Sequence, residues 1–145
     1  MKLAIGGDHA GYDYKKEIVK YLEEMGHEVK DFGPYSADSC DYPDYIHPVA
    51  DAVENGLFEL AIIICGSGNG VAMTANKHQG IRCALAWNDE IAQLARSHNN
   101  ANIISIPARY VTLISALDIV NSFVNTEFKG GRHQKRIDKI PCLPQ

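Results

Sequence analysis

The stretch that decides the fold is Leu60-Ala61-Ile62-Ile63-Ile64-Cys65, followed at once by Gly66-Ser67-Gly68-Asn69-Gly70. An unbroken apolar run is typical of a strand that is covered on both faces of a parallel sheet, since a strand with one wet face would alternate. The glycines let the backbone turn sharply into a helix predicted over residues 71–77. A buried strand that leads through a tight turn into a helix predicts an α/β protein.

The same alternation of short strands and longer helices continues on both sides of this unit. Five strands that alternate with helices favour an open, mostly parallel sheet with right-handed crossovers. We therefore predict one domain over residues 1–145, with three α/β/α layers, a five-stranded Rossmann-like sheet and a C-terminal extension that starts at Gly130. The predicted strands are 2–6, 28–32, 60–65, 81–86 and 103–106, and the predicted helices are 12–25, 46–55, 71–77, 88–97 and 111–125.

Composition narrows the possible partners and the location. The chain of 145 residues has 14 Lys and Arg against 18 Asp and Glu, so it lacks the basic excess that non-specific nucleic-acid binding requires. No apolar run approaches the roughly 18–20 residues that span a bilayer, and the N-terminus turns polar too early for a signal peptide. We expect a cytoplasmic protein with no nucleic-acid or membrane partner.

The four cysteines are widely spread and form no C-x-x-C pair. Zinc ligands normally come in close pairs, so we expect no metal site and no cofactor. We also expect no disulfide framework, because a secretory signal is missing. Cys40, Cys83 and Cys142 are predicted to be small buried residues with structural roles, whereas the setting of Cys65 points to chemistry.

Ligands of open α/β sheets bind beyond the carboxyl ends of the strands, where the strand order reverses. Polar or reactive residues follow four of the five predicted strands, which is more than chance placement would give. These candidate segments are Gly7-Asp8-His9, Cys65 to Gly70, Asn88-Asp89 and Pro107-Ala108-Arg109.

The loop that begins at Cys65 is the strongest local signal. Its glycines bring backbone N–H groups close to an anion, and a helix N-terminus favours the thiolate form of the cysteine. The spacing is neither that of a dinucleotide loop nor that of a P-loop, and Gly68 stands where a nucleophile elbow has serine. An alternative hypothesis is that Cys65 is a nucleophile in acyl or phosphoryl transfer. A cysteine phosphatase loop has arginine at the position of Val71, which argues against that version. The structural alternative is a tight turn with a buried cysteine.

Three further candidates each have a plain structural alternative. Asp8 and His9 suit proton handling, but an aspartate at a strand end often caps the next helix. His98, near the end of a predicted helix, is either an acid–base group or a complement to the helix dipole. Arg132 and Arg136 lie on one face if their segment is helical, and two guanidiniums there suit a phosphate. A solvated basic tail is the alternative.

Together the motifs resemble those of the ribose-5-phosphate isomerase B family, and the resemblance runs from Lys2 to about Arg136. The same superfamily contains galactose-6-phosphate isomerase subunits and allose-6-phosphate isomerases. The motifs that carry the resemblance, in chain order, are Gly7-Asp8-His9-Ala10-Gly11, Asp41-Tyr42-Pro43, Ile64-Cys65-Gly66-Ser67-Gly68, Ala75-Asn76-Lys77, Gly80-Ile81-Arg82, His98-Asn99-x-x-Asn102 and Gly130-Gly131-Arg132-His133.

The resemblance implies a metal-independent aldose–ketose isomerase that interconverts ribose 5-phosphate and ribulose 5-phosphate through a cis-enediol(ate). Cys65 would be the base and His98 would open the sugar ring. Asp8 would hold the sugar hydroxyls, and Ser67 stands where relatives usually have threonine. The residues implied to bind substrate are Asp8, His9, Tyr42, Gly66, Ser67, Gly68, Asn69, Gly70 and Asn99, and those implied to bind phosphate are His9, Arg109, Arg132 and Arg136, with His133 as a further candidate.

The resemblance also implies a homodimer or homotetramer in which each active site is shared between subunits. Such sharing would explain how a basic tail far along the chain from Cys65 reaches the site. A six-carbon sugar phosphate, allose 6-phosphate or galactose 6-phosphate, stays open as the substrate. A non-catalytic module that binds a sugar phosphate stays open as well.

Overall fold

The computed structural model describes residues 1–142, which form a single sheet flanked by helices. The five strands are β1 (Lys2–Gly7), β2 (Glu28–Asp31), β3 (Leu60–Cys65), β4 (Cys83–Leu85) and β5 (Ile103–Pro107). Their order is β2-β1-β3-β5-β4, and every neighbouring pair is parallel. The predicted parallel sheet of five strands is confirmed.

The helices follow the predicted alternation, with shifted ends. They are α1 (Tyr12–Glu24), α2 (Pro43–Glu54), α3 (Asn69–Ala75), α4 (Asp89–Asn99), α5 (Leu113–Asn125) and α6 (Arg132–Ile137), and a 3₁₀ turn covers His9–Gly11. Helix α2 begins three residues before the predicted Ile46 because a proline, whose missing N–H costs nothing in the first turn, starts it. Strand β4 is shorter than predicted, as suits an edge strand paired only with β5.

Two apolar layers lie on opposite faces of the sheet. Ile62 and Ile64 point into a core formed with α1, α4 and α5, whereas Ile63 and Cys65 point into a second core formed with α2 and α3. All four side chains are at most 5% exposed. The uniform apolar run of β3 therefore results from cover on both faces, and the predicted three-layer architecture is confirmed.

The strand order places a switch point between β1 and β3, where connections leave the sheet toward opposite faces. The loops after these two strands carry Asp8-His9 and Cys65-Gly66, so the topology brings both segments to one edge of the sheet. Asp8 N–H donates to the Ile64 carbonyl at 3.1 Å, which ties the two loops together.

A buried lysine anchors the loop between β2 and α2, which borders the same edge. Lys15 in α1 is fully buried, and its ammonium lies 2.8 Å from an Asp31 carboxylate oxygen and also donates to the Pro34 carbonyl. The loop is fixed again where Gly7 N–H donates to the Gly33 carbonyl at 3.0 Å. This bracing positions the residues that lead to Tyr42.

Within residues 1–142, no helix combines the length and apolar character needed to cross a membrane.

Candidate active site

An open cavity of about 880 Å³ lies at the carboxyl ends of β1, β3 and β5, where the topology predicts a ligand. We refer to it as the cysteine cavity. Most of the residues predicted to bind substrate meet there, together with Cys40. The cavity is lined by Asp8, His9, Ala10, Cys40, Asp41, Tyr42, Pro43, Asp44, Cys65, Gly66, Ser67, Gly70, Arg109 and Tyr110.

The Cys65 sulfur sits at the floor of the cavity in a fixed position. The residue is only 5% exposed, yet it contributes to the cavity lining. Gly68 N–H donates to Sγ at 3.2 Å, and this hydrogen bond orients the sulfur within the loop. Gly68 has a φ of 75°, and a Cβ at this residue would lie 2.4 Å from Leu85 Cδ1. Only glycine fits this position.

The backbone amides of the loop divide into two groups. Gly68 N–H is engaged by the Cys65 sulfur and Asn69 N–H donates to Ser67 Oγ at 3.2 Å. These two residues hold the loop in shape and do not line the described cavity, so their predicted contact with substrate stays a prediction. Gly66, Ser67 and Gly70 do line it. Their N–H groups are the candidate donors to an oxyanion.

Tyr42 lies directly over the loop, as predicted for a residue that lines the pocket. A Cβ on Gly70 would come within 2.5 Å of Tyr42 Cζ, so the absence of a side chain at Gly70 lets the tyrosine ring approach. Ser67 is exposed, and its hydroxyl oxygen already accepts from Asn69 N–H. Its own O–H therefore remains available to donate to a ligand in the cavity.

Asp8 caps the following turn, as its structural alternative predicted, and it also lines the cavity. Its Oδ1 accepts from Ala10 N–H at 2.8 Å and from Gly11 N–H at 3.2 Å, so the carboxylate caps the 3₁₀ turn. Among the described residues its hydrogen bonds both fall on Oδ1, which leaves Oδ2 for a ligand. Cys40 N–H donates to His9 Nδ1 at 3.4 Å. This contact engages Nδ1 and leaves Nε2 as the ring nitrogen that can contact a ligand in the cavity.

Arg109 joins the cavity from the end of β5. Its N–H donates to the Gly66 carbonyl at 3.0 Å, and its side chain would lie 3.2 Å from a Cβ on Gly66. The exposed guanidinium is the cation of this lining, and it fits the predicted contact with a phosphate.

The cysteines outside the loop depart in part from expectation. Cys40 and Cys83 are half-buried and Cys142 is exposed, so the prediction that these three are buried was wrong, and Cys40 lines the cavity. Cys40 and Cys142 each lie in an irregular segment beyond the close-packed layers of the sheet. Cys83 is half-buried, and burial raises the pKa of its thiol, which keeps it protonated and fits a structural role.

A second group of predicted site residues lies elsewhere, around the end of α4. The rings of His98 and His133 stack with centroids 4.4 Å apart and planes 15° apart. Lys129 N–H donates to the Ser97 carbonyl at 3.0 Å, which ties the segment before α6 to α4. The members of this group, which we call the histidine–arginine cluster, are His98, Asn99, Arg132, His133 and Arg136.

The cluster is rich in positive charge. Arg132 and Arg136 are both exposed and lie one helical turn apart on α6, as predicted for a pair that grips an anion. Partial burial lowers the pKa of His133, and the charges of His98, Arg132, Arg136 and Lys129 lower it further. The lowered pKa favours the neutral form of the His133 imidazole.

Helix direction separates the cluster from the cysteine cavity. Helix α4 leaves the carboxyl edge of the sheet after β4 and returns to the amino edge before β5. A helix of 11 residues spans about 16 Å, so His98 lies toward the opposite edge from Cys65. Asn100 borders a different cavity with Met1 and Glu59, which precede β1 and β3. The described cavity around Cys65 contains no member of the cluster.

Two supporting residues were not predicted from the sequence. Ser105 Oγ donates to the Gly68 carbonyl at 2.7 Å and so fixes the loop that holds the sulfur. A serine within the apolar run of β5 was the available signal. Lys15, which braces the loop before Tyr42, had no signal, because its partner Asp31 is brought close only by the folded chain.

Comparison with known proteins supports the fold and the resemblance. The Ribose/Galactose Isomerase family model matches residues 3–140. Ribose-5-phosphate isomerase B of Escherichia coli is 42% identical over 144 residues, covering 99% of this chain and 97% of that protein. The Mycolicibacterium paratuberculosis protein of the same name is 46% identical over 140 residues, covering 95% of this chain and 88% of the relative.

Solved structures agree along nearly the whole chain. Ribose-5-phosphate isomerase B of Clostridium thermocellum matches with a TM-score of 0.95 and 47% identity, covering 97% of this chain and 95% of that one. The Mycoplasma genitalium enzyme, solved with bound ribulose-5-phosphate, matches with a TM-score of 0.92 and 44% identity, covering 96% and 93%. The chain belongs to the ribose/galactose isomerase family, and its fold is that of the ribose-5-phosphate isomerases B.

Proposed function

We propose that this protein is an aldose–ketose isomerase that interconverts ribose 5-phosphate and ribulose 5-phosphate. The observation that carries the proposal is the Cys65 sulfur at the floor of the cysteine cavity, hydrogen-bonded by Gly68 N–H and bordered by Asp8 and Ser67. The names of the relatives and the ribulose-5-phosphate bound in one neighbour support the same substrate.

Cys65 is the base in the proposed reaction. Its thiolate removes the hydrogen of C2 of the open-chain aldose as a proton, and the electron pair moves toward the carbonyl oxygen on C1. The enediolate oxygen O1 receives the proton that leaves O2, and the Cys65 thiol returns its proton to C1, which yields the ketose and restores the thiolate. Gly68 N–H supports this role because its hydrogen bond to Sγ holds the sulfur at the cavity, and a base must be positioned within reach of the proton it removes.

The enediolate oxygen carries the charge that develops in the transition state. The N–H groups of Gly66, Ser67 and Gly70 border the cavity beside the sulfur and are the proposed donors to this oxygen. Loss of one such donor typically costs about 10²–10³ in rate. Asp8 Oδ2 and the Ser67 hydroxyl are the proposed contacts of the sugar hydroxyls. Ser67 retains the hydroxyl of threonine at this position and leaves one methyl of space.

The other half of the site is proposed to come from a second copy of the chain. His98 is assigned to ring opening, in which it takes a proton from O1 and a proton is supplied to the ring oxygen. Arg132 and Arg136 are assigned to the phosphate, with His9 and Arg109 from the cysteine cavity. The separation of the cluster from Cys65 within one chain supports an active site formed by two subunits of a homodimer. A homotetramer built from two such dimers is compatible with the same assignment.

A side-by-side kinetic assay tests the proposed activity. We expect ribose 5-phosphate to be isomerised faster, by kcat/KM, than allose 6-phosphate or galactose 6-phosphate. In heavy water, deuterium should appear at C1 or C2 of the recovered sugar, to the extent that the proton taken up by Cys65 exchanges with solvent before it returns to carbon. A higher kcat/KM for a six-carbon substrate would reassign the substrate, and binding of all three without turnover would identify a binding module.

The cytoplasmic location stays a prediction.

A further inference from the structure

A group of metal-ligating side chains lies on the outer face of α2, formed by residues to which the isomerase mechanism gives no role. His47, Asp51 and Glu54 follow one another at helical spacing on the exposed face of the helix, and His78 reaches them from the segment between α3 and β4. His78 Nδ1 lies 3.2 Å from Asp51 Oδ1 and 4.0 Å from Glu54 Oε1. One ligand atom from each of these three residues falls within 4.8 Å of the others.

We propose that Asp51, Glu54 and His78, the metal triad, bind a divalent transition-metal ion of the Zn²⁺ type. Ligands held about 2.0–2.1 Å from a tetrahedral metal lie about 3.3–3.4 Å from one another. The distance from His78 Nδ1 to Asp51 matches this spacing, and the distance to Glu54 exceeds it by little. One imidazole and two carboxylates suit zinc, cobalt or manganese, and water completes the coordination.

The surroundings of the triad orient its ligands before a metal arrives. His78 Nε2 lies 2.8 Å from His47 Nδ1, so with a metal on Nδ1 of His78 its other N–H donates to His47. A metal-bound histidine normally has such an acceptor for its second nitrogen. Glu54 Oε2 accepts from Gly80 N–H, which leaves Oε1 for the metal. The side chain of His78 is only 14% exposed, so its ring is held in place by packing.

The proposed ion would join two separate parts of the chain. Asp51 and Glu54 belong to α2, whereas His78 belongs to the segment that leads to β4. A metal that binds the folded arrangement and not the unfolded chain stabilises the fold in proportion to its concentration over its Kd. The proposed site is therefore a structural clamp on the outer layer, and its occupancy is independent of the isomerase reaction.

Metal titration of the full-length, tag-free chain tests this assignment. We expect one equivalent of Zn²⁺ to bind in calorimetry and to raise Tm. His78→Gln and Asp51→Asn, which keep side-chain size, should each weaken binding by more than 100-fold, and His47→Gln should weaken it by about 10–100-fold as an outer contact does. Circular dichroism of the metal-free variants checks that they fold. Isomerase turnover should stay unchanged in all three.

Two controls separate the triad from other ligands of the chain. His27 contacts the N-terminal amine at 3.2 Å, so His27→Gln tests whether that pair takes the metal. Co²⁺ reports thiolate ligands through a sulfur-to-cobalt charge-transfer band, which we expect to be missing. Unchanged affinity in both His78→Gln and Asp51→Asn, loss of binding in His27→Gln, a thiolate band, or no binding at all would each overturn the proposal.

Discussion

The cysteine cavity and the histidine–arginine cluster differ in how they are built. The cavity is made at the carboxyl edge of the sheet, where Gly68 N–H donates to the Cys65 sulfur and Ser105 holds Gly68 through its carbonyl. The cluster is made on the surface, where exposed side chains of α6 meet the end of α4. The first region contains the proposed base, and the second contains the proposed ring-opening histidine and two of the proposed phosphate ligands.

Removal of the sulfur should have the largest effect. Cys65→Ala removes the proposed base, so we expect turnover of ribose 5-phosphate to fall by about 10⁴-fold, the upper end of what a positioned base contributes. Sugar-phosphate affinity, measured by calorimetry, should change by less than a few-fold because the phosphate contacts remain. The control is Cys142→Ala, since this cysteine is exposed and outside the cavity. Near-normal turnover by Cys65→Ala would remove Cys65 from the role of base.

Loss of His98 should lower turnover less than loss of Cys65 does, and the size of the effect should depend on the substrate. His98→Asn removes the group proposed to open the furanose ring, so we expect kcat for ribose 5-phosphate to fall by about 10²-fold. An open-chain aldose phosphate, which cannot close a furanose ring, should be isomerised almost as well by the variant as by the parent. Equal losses on both substrates would show that His98 acts on another step.

Loss of a cluster arginine should move KM more than kcat. Arg136→Met removes a charge-assisted hydrogen bond to phosphate, worth about 1.5–3 kcal/mol, and we expect KM to rise by about 10–100-fold. Lys135→Met is the matched control, because it removes a neighbouring exposed cation from a different face of α6. If both variants raised KM alike, the effect would be general electrostatic attraction and not a specific grip.

A glycine variant should give the smallest effect and tests how closely the cavity is fitted. Gly70→Ala places a Cβ 2.5 Å from Tyr42 Cζ, so the ring must move away from the loop. We expect kcat/KM to fall by a few-fold. Tyr42→Ala should have a similar effect, and the double variant should be no worse than either one, because the same contact is lost in each. Fully additive losses would mean that the two residues act separately.

Much of the fold could be predicted from local sequence patterns. The features that could not be predicted depend on contacts between distant parts of the chain. The apolar run at β3 predicted its bounds because burial on both faces leaves a continuous signal. The ends of β4 were predicted too wide, because β4 is an edge strand that pairs with β5 only from Cys83 to Leu85. Strand-end chemistry identified Asp8, His9 and Cys65. The metal triad left no signal, because its residues come together only when His78 folds back onto α2.

The sequence also could not show that the cysteine cavity and the histidine–arginine cluster lie apart within one chain. Both regions contain residues from the motifs that carry the family resemblance. Their separation follows from the direction of α4 across the sheet. Only the topology places His98 and Cys65 toward opposite edges. From this placement comes the proposal that a second subunit supplies the cluster.

Complementation between two inactive variants tests that central proposal most directly. Cys65→Ala and His98→Asn are mixed in equal amounts under conditions that exchange subunits, and mass spectrometry measures the mixed dimers. Each mixed dimer would have one intact site, with Cys65 from one chain and His98 from the other. Random pairing predicts recovery of about a quarter of the parent activity. Mixed dimers that form in the expected half share and stay inactive would contradict a site built from two subunits.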